Sequence, residues 1–124
     1  MSRADPARRI RAERMGRLAE GVALIWLLGR GYRIRARRLR RPPIEIDILA
    51  QKGDVLVLVE VKYRASLDEA VRSLSPAAVR RLARAAEILA AEARVRARPA
   101  SGARVDLIAL APFAWPRHIQ GLQP

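Results

Sequence analysis

The chain has no cysteine. Disulfide scaffolding, zinc–thiolate sites and thiol catalysis are therefore excluded. A single histidine, His118, leaves no material for a His-based metal set or a catalytic triad, and its expected role is structural or solvated. Aromatic residues make up 4% of the total, so the core has to rest on Leu, Val, Ile and Ala. The longest apolar run, Val22–Leu28, falls far short of a membrane span. The charged N-terminus has no apolar stretch of the kind a secretory signal carries. No glycine-rich phosphate loop is present. Lysine is scarce as well, two residues against 23 arginines. These absences lead to the expectation of a reducing cytoplasm and no membrane partner.

What is present fits one domain of 124 residues, 51% hydrophobic and 30% charged. The net charge is +13, which attracts polyanions. It is unevenly placed. Residues 1–41 hold thirteen arginines and three acids, Asp5, Glu13 and Glu20, whereas the rest is nearly balanced. Residues 1–13 read as a basic N-terminal extension or a frayed helix start, and residues 14–124 as the domain.

Asp5-Pro6 is a helix start, with Asp as N-cap and Pro in the first position. Ile10, Leu18, Val22, Ile25, Trp26 and Gly29 then recur at helical spacing, and Gly29 and Gly31 stop the helix. Tyr32–Leu39 alternates as a strand with an arginine-lined outer face. Arg40-Arg41-Pro42-Pro43 predicts a break. Ile44–Ala50 and Val55–Tyr63 form a hairpin around Gly53. The second of these strands is apolar on both faces and belongs in the centre of a sheet. Residues 65–74 are read as a connection carrying one helical turn from Asp68. Ser75-Pro76 opens a second long helix, whose stripe runs Val79, Leu82, Ala83, Ala86, Leu89, Ala90, Ala93. Residues 94–102 read as a basic linker, 105–111 as a last strand and 112–124 as a tail. The fold class is α/β, a mixed sheet with helices.

The hairpin carries charges that a core strand avoids. With Lys52 and Gly53 leading the turn, Glu45 lies opposite Glu60, and Glu45, Asp47, Glu60 and Lys62 share one face. Asp47 and Glu60 become diagonal neighbours, roughly 7–8 Å apart. Like charges placed together are costly unless a metal or a partner neutralises them, and Mg²⁺ accepts one or two carboxylates plus phosphate and water. Where only positive charge is needed, this chain uses Arg. Lys62 departs from that habit, and a lysine amine can give up its proton where a guanidinium does not. Glu20 stacks with Ala23, Leu24 and Leu27 on the first helix, and either reaches over a site or marks the edge of the stripe. Asp106 reads as a structural carboxylate paired with an arginine.

The order Glu20-x-x-Ala23-x-x-Trp26-Leu27-x-x-x-Gly31-Tyr32, Glu45-Ile46-Asp47-Ile48, Val59-Glu60-Val61-Lys62-Tyr63-Arg64 and Arg104-Val105-Asp106-Leu107 resembles the YraN-like family of small bacterial proteins. That family resembles the Holliday-junction-resolvase branch of the restriction-endonuclease-like superfamily. The resemblance covers about residues 14–120. It implies an αβββαβ core, divalent metal (Mg²⁺ or Mn²⁺) at Asp47 and Glu60 with Glu45 beside them, Lys62 as catalytic lysine and Glu20 as an accessory acid. The chain departs from the family at Ala19 and Ile44, where the family has glycine, and lacks the family's Asn in the first strand.

The expectation is a metal-dependent endonuclease acting on DNA, branched DNA included. Arg33, Arg35, Arg37, Arg38, Arg40, Arg41 and Arg64 would grip phosphates without reading sequence. A non-catalytic nucleic-acid-binding module and a subunit acting through a protein partner are the alternatives, and a homodimer stays open.

Overall fold

The computed structural model describes residues 5–42, 44–95 and 102–124. Helix α1 (Pro6–Gly29) begins at the expected cap, where the Asp5 carboxylate accepts the Ala7 amide at 3.1 Å. It ends before Gly31, whose φ of +85° suits glycine. The face it buries is not the stripe that gives the helix its spacing. Ala19, Ala23 and Leu27 are buried, whereas Ile10, Leu18, Val22, Ile25 and Leu28 stand between 47% and 72% exposed. Two alanines let the helix lie close to the sheet, and the larger aliphatics are turned outward. Trp26 is half-buried at the margin, with the Arg30 guanidinium 3.1 Å from the ring centroid.

Strands β1 (Arg33–Arg41), β2 (Ile44–Lys52) and β3 (Val55–Tyr63) follow, then helices α2 (Leu67–Arg72) and α3 (Pro76–Val95), then strands β4 (Gly102–Leu110) and β5 (Arg117–Ile119). They form one sheet in the order β1-β2-β3-β4-β5. β3 and β4 are parallel, and the other neighbours are antiparallel. α1 packs with Val57, Val59 and Ile108 on one face, and α3 packs with Leu56, Leu58 and Val105 on the other. This five-stranded mixed sheet between helices is the restriction-endonuclease-like core. β3 is central, as its sequence predicts. Val57, Leu58 and Val59 have no exposed surface, and burying each such side chain stabilises the fold by roughly 1.5–3 kcal/mol.

Four expectations are corrected. β1 does not break at Arg40 but runs through Arg41, because Arg40 and Arg41 pair with Glu45 and Ile44; Pro43, in the expected break, lies outside the described residues. The hairpin pairs Lys52 with Val55 and Ala50 with Val57, a slip of two residues from the expected register. Gly53, at φ +60°, is then the first central residue of a two-residue turn, as a type II′ hairpin requires. α3 continues to Val95, past the expected start of the linker, and residues 96–101 of that linker lie outside the described residues. The tail is not featureless, since β5 pairs with β4 through Leu107–Ile119, Ile108–His118 and Ala109–Arg117.

Candidate metal centre and cleft

A slip of two residues changes who stands opposite whom and, in a regular ladder, leaves each side chain on its face. The β2–β3 ladder runs from Lys52–Val55 to Ile48–Val59, and that register carried one step further sets Asp47 across from Glu60. There the backbone pairing stops. Asp47 Oδ2 instead accepts the Val61 amide at 2.9 Å, so a side chain takes over from the main chain. At the same point the buried residues of β2 change sides. Ile48 and Ala50 belong to the α1 cluster, and Ile44 and Ile46 to the α3 cluster. Asp47 therefore sits where β2 parts from β3, and the parting exposes the acidic residues to both faces of the sheet.

Two adjoining hollows share Asp47, Glu60 and Lys62. The one beside α3, of about 410 Å³, also holds Arg40, Glu45 and Arg81. The one beside α1, of about 350 Å³, also holds Glu20, Tyr63 and Arg64. Lys62 Nζ lies 3.6 Å from Glu60 Oε1, with both side chains a quarter exposed or less. Burial pushes the Glu60 carboxyl up to about 7, Asp47 adds to the rise, and Lys62 only partly offsets it. Burial likewise raises Asp47, against the Val61 amide, which lowers it; the charge of Glu20 raises it further. Both carboxylates are thus held where losing the proton is unfavourable without a cation.

The remaining expected residues divide. Glu20 reaches the cleft from α1 and is paired with Arg38 at 2.7 Å. Arg38 has a left-handed φ of +49°. Glu45 is exposed at the outer end of the α3-side hollow and pairs across strands with Arg40, so the expected Glu45–Glu60 opposition does not form. Asp47–Glu60 replaces it. Among the described residues no group of three or more His, Cys, Asp or Glu comes close enough to hold an ion by itself. Of the arginines expected at phosphates, Arg35 is bonded to Gln51 at 2.9 Å and Arg41 to Glu92 at 2.9 and 3.0 Å. Arg33, Arg37 and Arg40 have exposed side chains on β1. Arg64 is exposed at the mouth of the α1-side hollow, with its guanidinium donating to Tyr63 O at 2.7 Å.

A second polar cluster lies away from the cleft. Asp106 has no exposed surface. It accepts from Arg104 Nε at 3.0 Å and Nη2 at 3.1 Å and from the Gly121 amide at 3.1 Å, and it bonds His118 Nε2 at 2.8 Å. Arg104 also donates to the Tyr32 hydroxyl at 2.5 Å. Burial alone would raise the Asp106 carboxyl, but His118, Arg104 and Gly121 outweigh it and hold it low. The arginine partner was legible from Arg104-x-Asp106. The histidine was not, because twelve residues separate it from Asp106 with no pattern to join them.

The fit to a divalent ion can be judged from the donors. The oxygens of Asp47 and Glu60 are hard ligands, two carboxylates suffice for Mg²⁺ when phosphate and water complete the shell, and a cation would offset the burial and the neighbouring acidic charge that raise both groups.

Comparison with known sequences agrees with this picture. The profile of "Uncharacterised protein family UPF0102" matches residues 19–110. A UPF0102 protein of Caulobacter vibrioides (strain NA1000 / CB15N) is 47% identical over 108 residues, 87% of this chain and 85% of the relative. One of Paramagnetospirillum magneticum (strain ATCC 700264 / AMB-1) is 40% identical over 124 residues, 96% of this chain and 95% of the relative. One of Sinorhizobium fredii (strain NBRC 101917 / NGR234) is 42% identical over 113 residues, 90% of each. The matched region takes in Glu20, Asp47, Glu60, Lys62 and Asp106.

Proposed function

Since the chain belongs to the uncharacterised family UPF0102, the YraN-like family that its motifs resemble, we propose that it is a divalent-metal-dependent endonuclease acting on DNA, branched forms included. The observation that carries this reading is the meeting of Asp47, Glu60 and Lys62 at the point where β2 parts from β3. A bound Mg²⁺ or Mn²⁺ would supply Lewis acidity toward a phosphate oxygen. Asp47 and Glu60 would hold it, with Asp47 oriented by the Val61 amide. Lys62, anchored by Glu60, would position the attacking water and stabilise charge on the phosphate. Glu20 would act from α1, held in place by Arg38. The exposed arginines of β1 and Arg64 would contact phosphates, which supplies affinity without sequence preference.

The test is a cleavage assay on branched, flapped, linear and single-stranded DNA with Mg²⁺ or Mn²⁺, run beside Lys62→Ala and Glu60→Gln. The proposal expects metal-dependent cleavage that both variants abolish with DNA affinity retained. A second reading, binding without cleavage, draws on the absence of a third close acidic ligand among the described residues. It expects DNA binding that survives loss of Lys62 and no product on any substrate.

A further inference from the structure

Of the five aromatic side chains in this aromatic-poor sequence, two stand almost entirely in water within three residues. Phe113 is 108% and Trp115 84% exposed. Water-exposed rings this complete are uncommon without a partner. The segment that carries them is stiff. Pro112 and Pro116 bracket it, β5 returns immediately to pair with β4, and Arg117 is fastened to Asp68 at 2.9 Å. Phe113 has a φ of +56°, a left-handed conformation costly for a bulky residue. The fold thus accepts strain in the residue that presents an unburied ring.

The position of this loop joins it to the acidic cleft. Ala114 and Pro116, the neighbours of Trp115, line a mainly apolar groove with Met15, Ala19 and Tyr63. Met15, Ala19 and Tyr63 are also walls of the α1-side hollow that holds Glu20, Asp47, Glu60 and Lys62. The Arg64 amide donates to Leu110 O at 3.1 Å, tying the end of the strand with Glu60 and Lys62 to the start of the loop. Arg64, one of the walls of that hollow, is exposed. A strongly basic chain with Arg64 at the carboxylate hollow and two exposed rings on the loop next to it matches one chemistry: phosphates on the arginines and unpaired bases on the rings. Bases within a duplex are stacked on one another and cannot offer their faces.

We propose that Phe113 and Trp115 stack unpaired bases of a nucleic-acid strand whose backbone continues into the Asp47–Glu60–Lys62 cleft, so that the substrate carries a single-stranded segment next to the cleaved bond. This rests on the nuclease reading for its last step only. Base stacking on the rings is a binding property and is measured without cleavage. The backbone just after the rings is held by the β4–β5 pairing and the Arg117–Asp68 bond, which lowers the ordering cost of binding.

The experiment is fluorescence anisotropy in EDTA with a labelled oligo-dT strand, a blunt duplex and a duplex bearing a single-stranded flap. Phe113→Ala and Trp115→Ala are each expected to weaken binding of the oligo-dT strand and the flap by roughly 5- to 150-fold, the range for loss of one stacked base. Blunt-duplex affinity is expected to stay unchanged, and Trp115→Phe, which keeps a ring, to restore much of the loss. Both residues are exposed, so the substitutions leave the core alone. Equal weakening on blunt duplex, or no weakening on any substrate, overturns the proposal. So does a change in solution mass on the same substitutions, which would assign the rings to contacts between copies. Failure of the nuclease reading shows separately, as no metal-dependent product from the wild-type protein, and leaves this binding comparison intact.

Discussion

Replacing Glu60 by Gln should make the metal-free protein more stable at alkaline pH and leave it almost unchanged at pH 4. Burial and the Asp47 charge push the Glu60 carboxyl from 4.5 to about 7. A group whose folded value is raised stabilises the native state fully below its unfolded value, and that contribution disappears as pH rises through the folded value. The loss falls between about pH 4.5 and 7. At 1.36 kcal/mol per unit it amounts to about 3 kcal/mol. The Glu60 side chain is 18% exposed, so solvent screening reduces this only modestly. Gln fills nearly the same volume but cannot ionise, so the variant lacks the slope. The difference between the two proteins should therefore grow from near zero at pH 4 toward about 3 kcal/mol at pH 8.5, a shift in Tm on the order of 10 °C. Urea unfolding followed by circular dichroism in EDTA across this range measures it directly. Adding Mg²⁺ or Mn²⁺ at pH 8.5 should stabilise the wild type and leave the variant behind, since an ion bound to the folded state alone adds stability. Parallel pH profiles for the two proteins, or no gain for Gln at pH 8.5, would refute the account of a repelling, desolvated carboxylate pair.

Asp106→Asn should destabilise the fold by about 3 kcal/mol or more, because it leaves Arg104 and His118 facing a neutral group. The Asp106 carboxyl is held low, so its contribution is present above the unfolded value of 3.8 and lost as pH falls through the folded one; acid unfolding of the variant should lack that component. Leu27→Ala should cost about 2–5 kcal/mol in urea unfolding, whereas Ile25→Ala should stay within about 0.5 kcal/mol; equal effects would mean that the wrong face of α1 has been assigned to the core. DNA affinity should fall with salt at a slope of about −0.9 per neutralised phosphate, and Arg33→Gln with Arg37→Gln should make that slope shallower. Arg41→Gln should alter it less, since Arg41 is bonded to Glu92; an identical change for both sets would show that pairing within the chain does not decide which arginines meet DNA.

Much of the fold was legible because strand periodicity is insensitive to small errors of register. The unbroken run from Val55 to Val59 marked the central strand, and Asp47, Glu60 and Lys62 line the same hollows although the pairing is two residues off the expected one and the buried face of β2 changes sides at Asp47. The partner of Glu60 was not legible, because it depends on the hairpin turn rather than on side-chain pattern. Lys62 stood out through rarity, in a chain that otherwise uses arginine. The burial of α1 was misleading for a physical reason. Ala19 and Ala23 are small, and their value lies in letting helix and sheet approach, which hydropathy does not register. β5 was missed because three residues carry no period. The Glu20–Arg38 pair was equally hidden, as it needs a left-handed arginine on an edge strand.

The single bond from the Val61 amide to Asp47 Oδ2 makes one proton of the backbone a witness to the cleft. Its acceptor is a carboxylate whose charge depends on its neighbours, unlike the carbonyls that hold the rest of the sheet. The nuclear resonance frequency of that amide, and the rate at which it trades hydrogen for deuterium, should follow the state of Asp47 more closely than those of Val57 or Val59, deep in the same strand. A spectrum of the backbone could then follow the filling of the cleft in a protein that turns over nothing at all, on a nucleus that no substitution has touched.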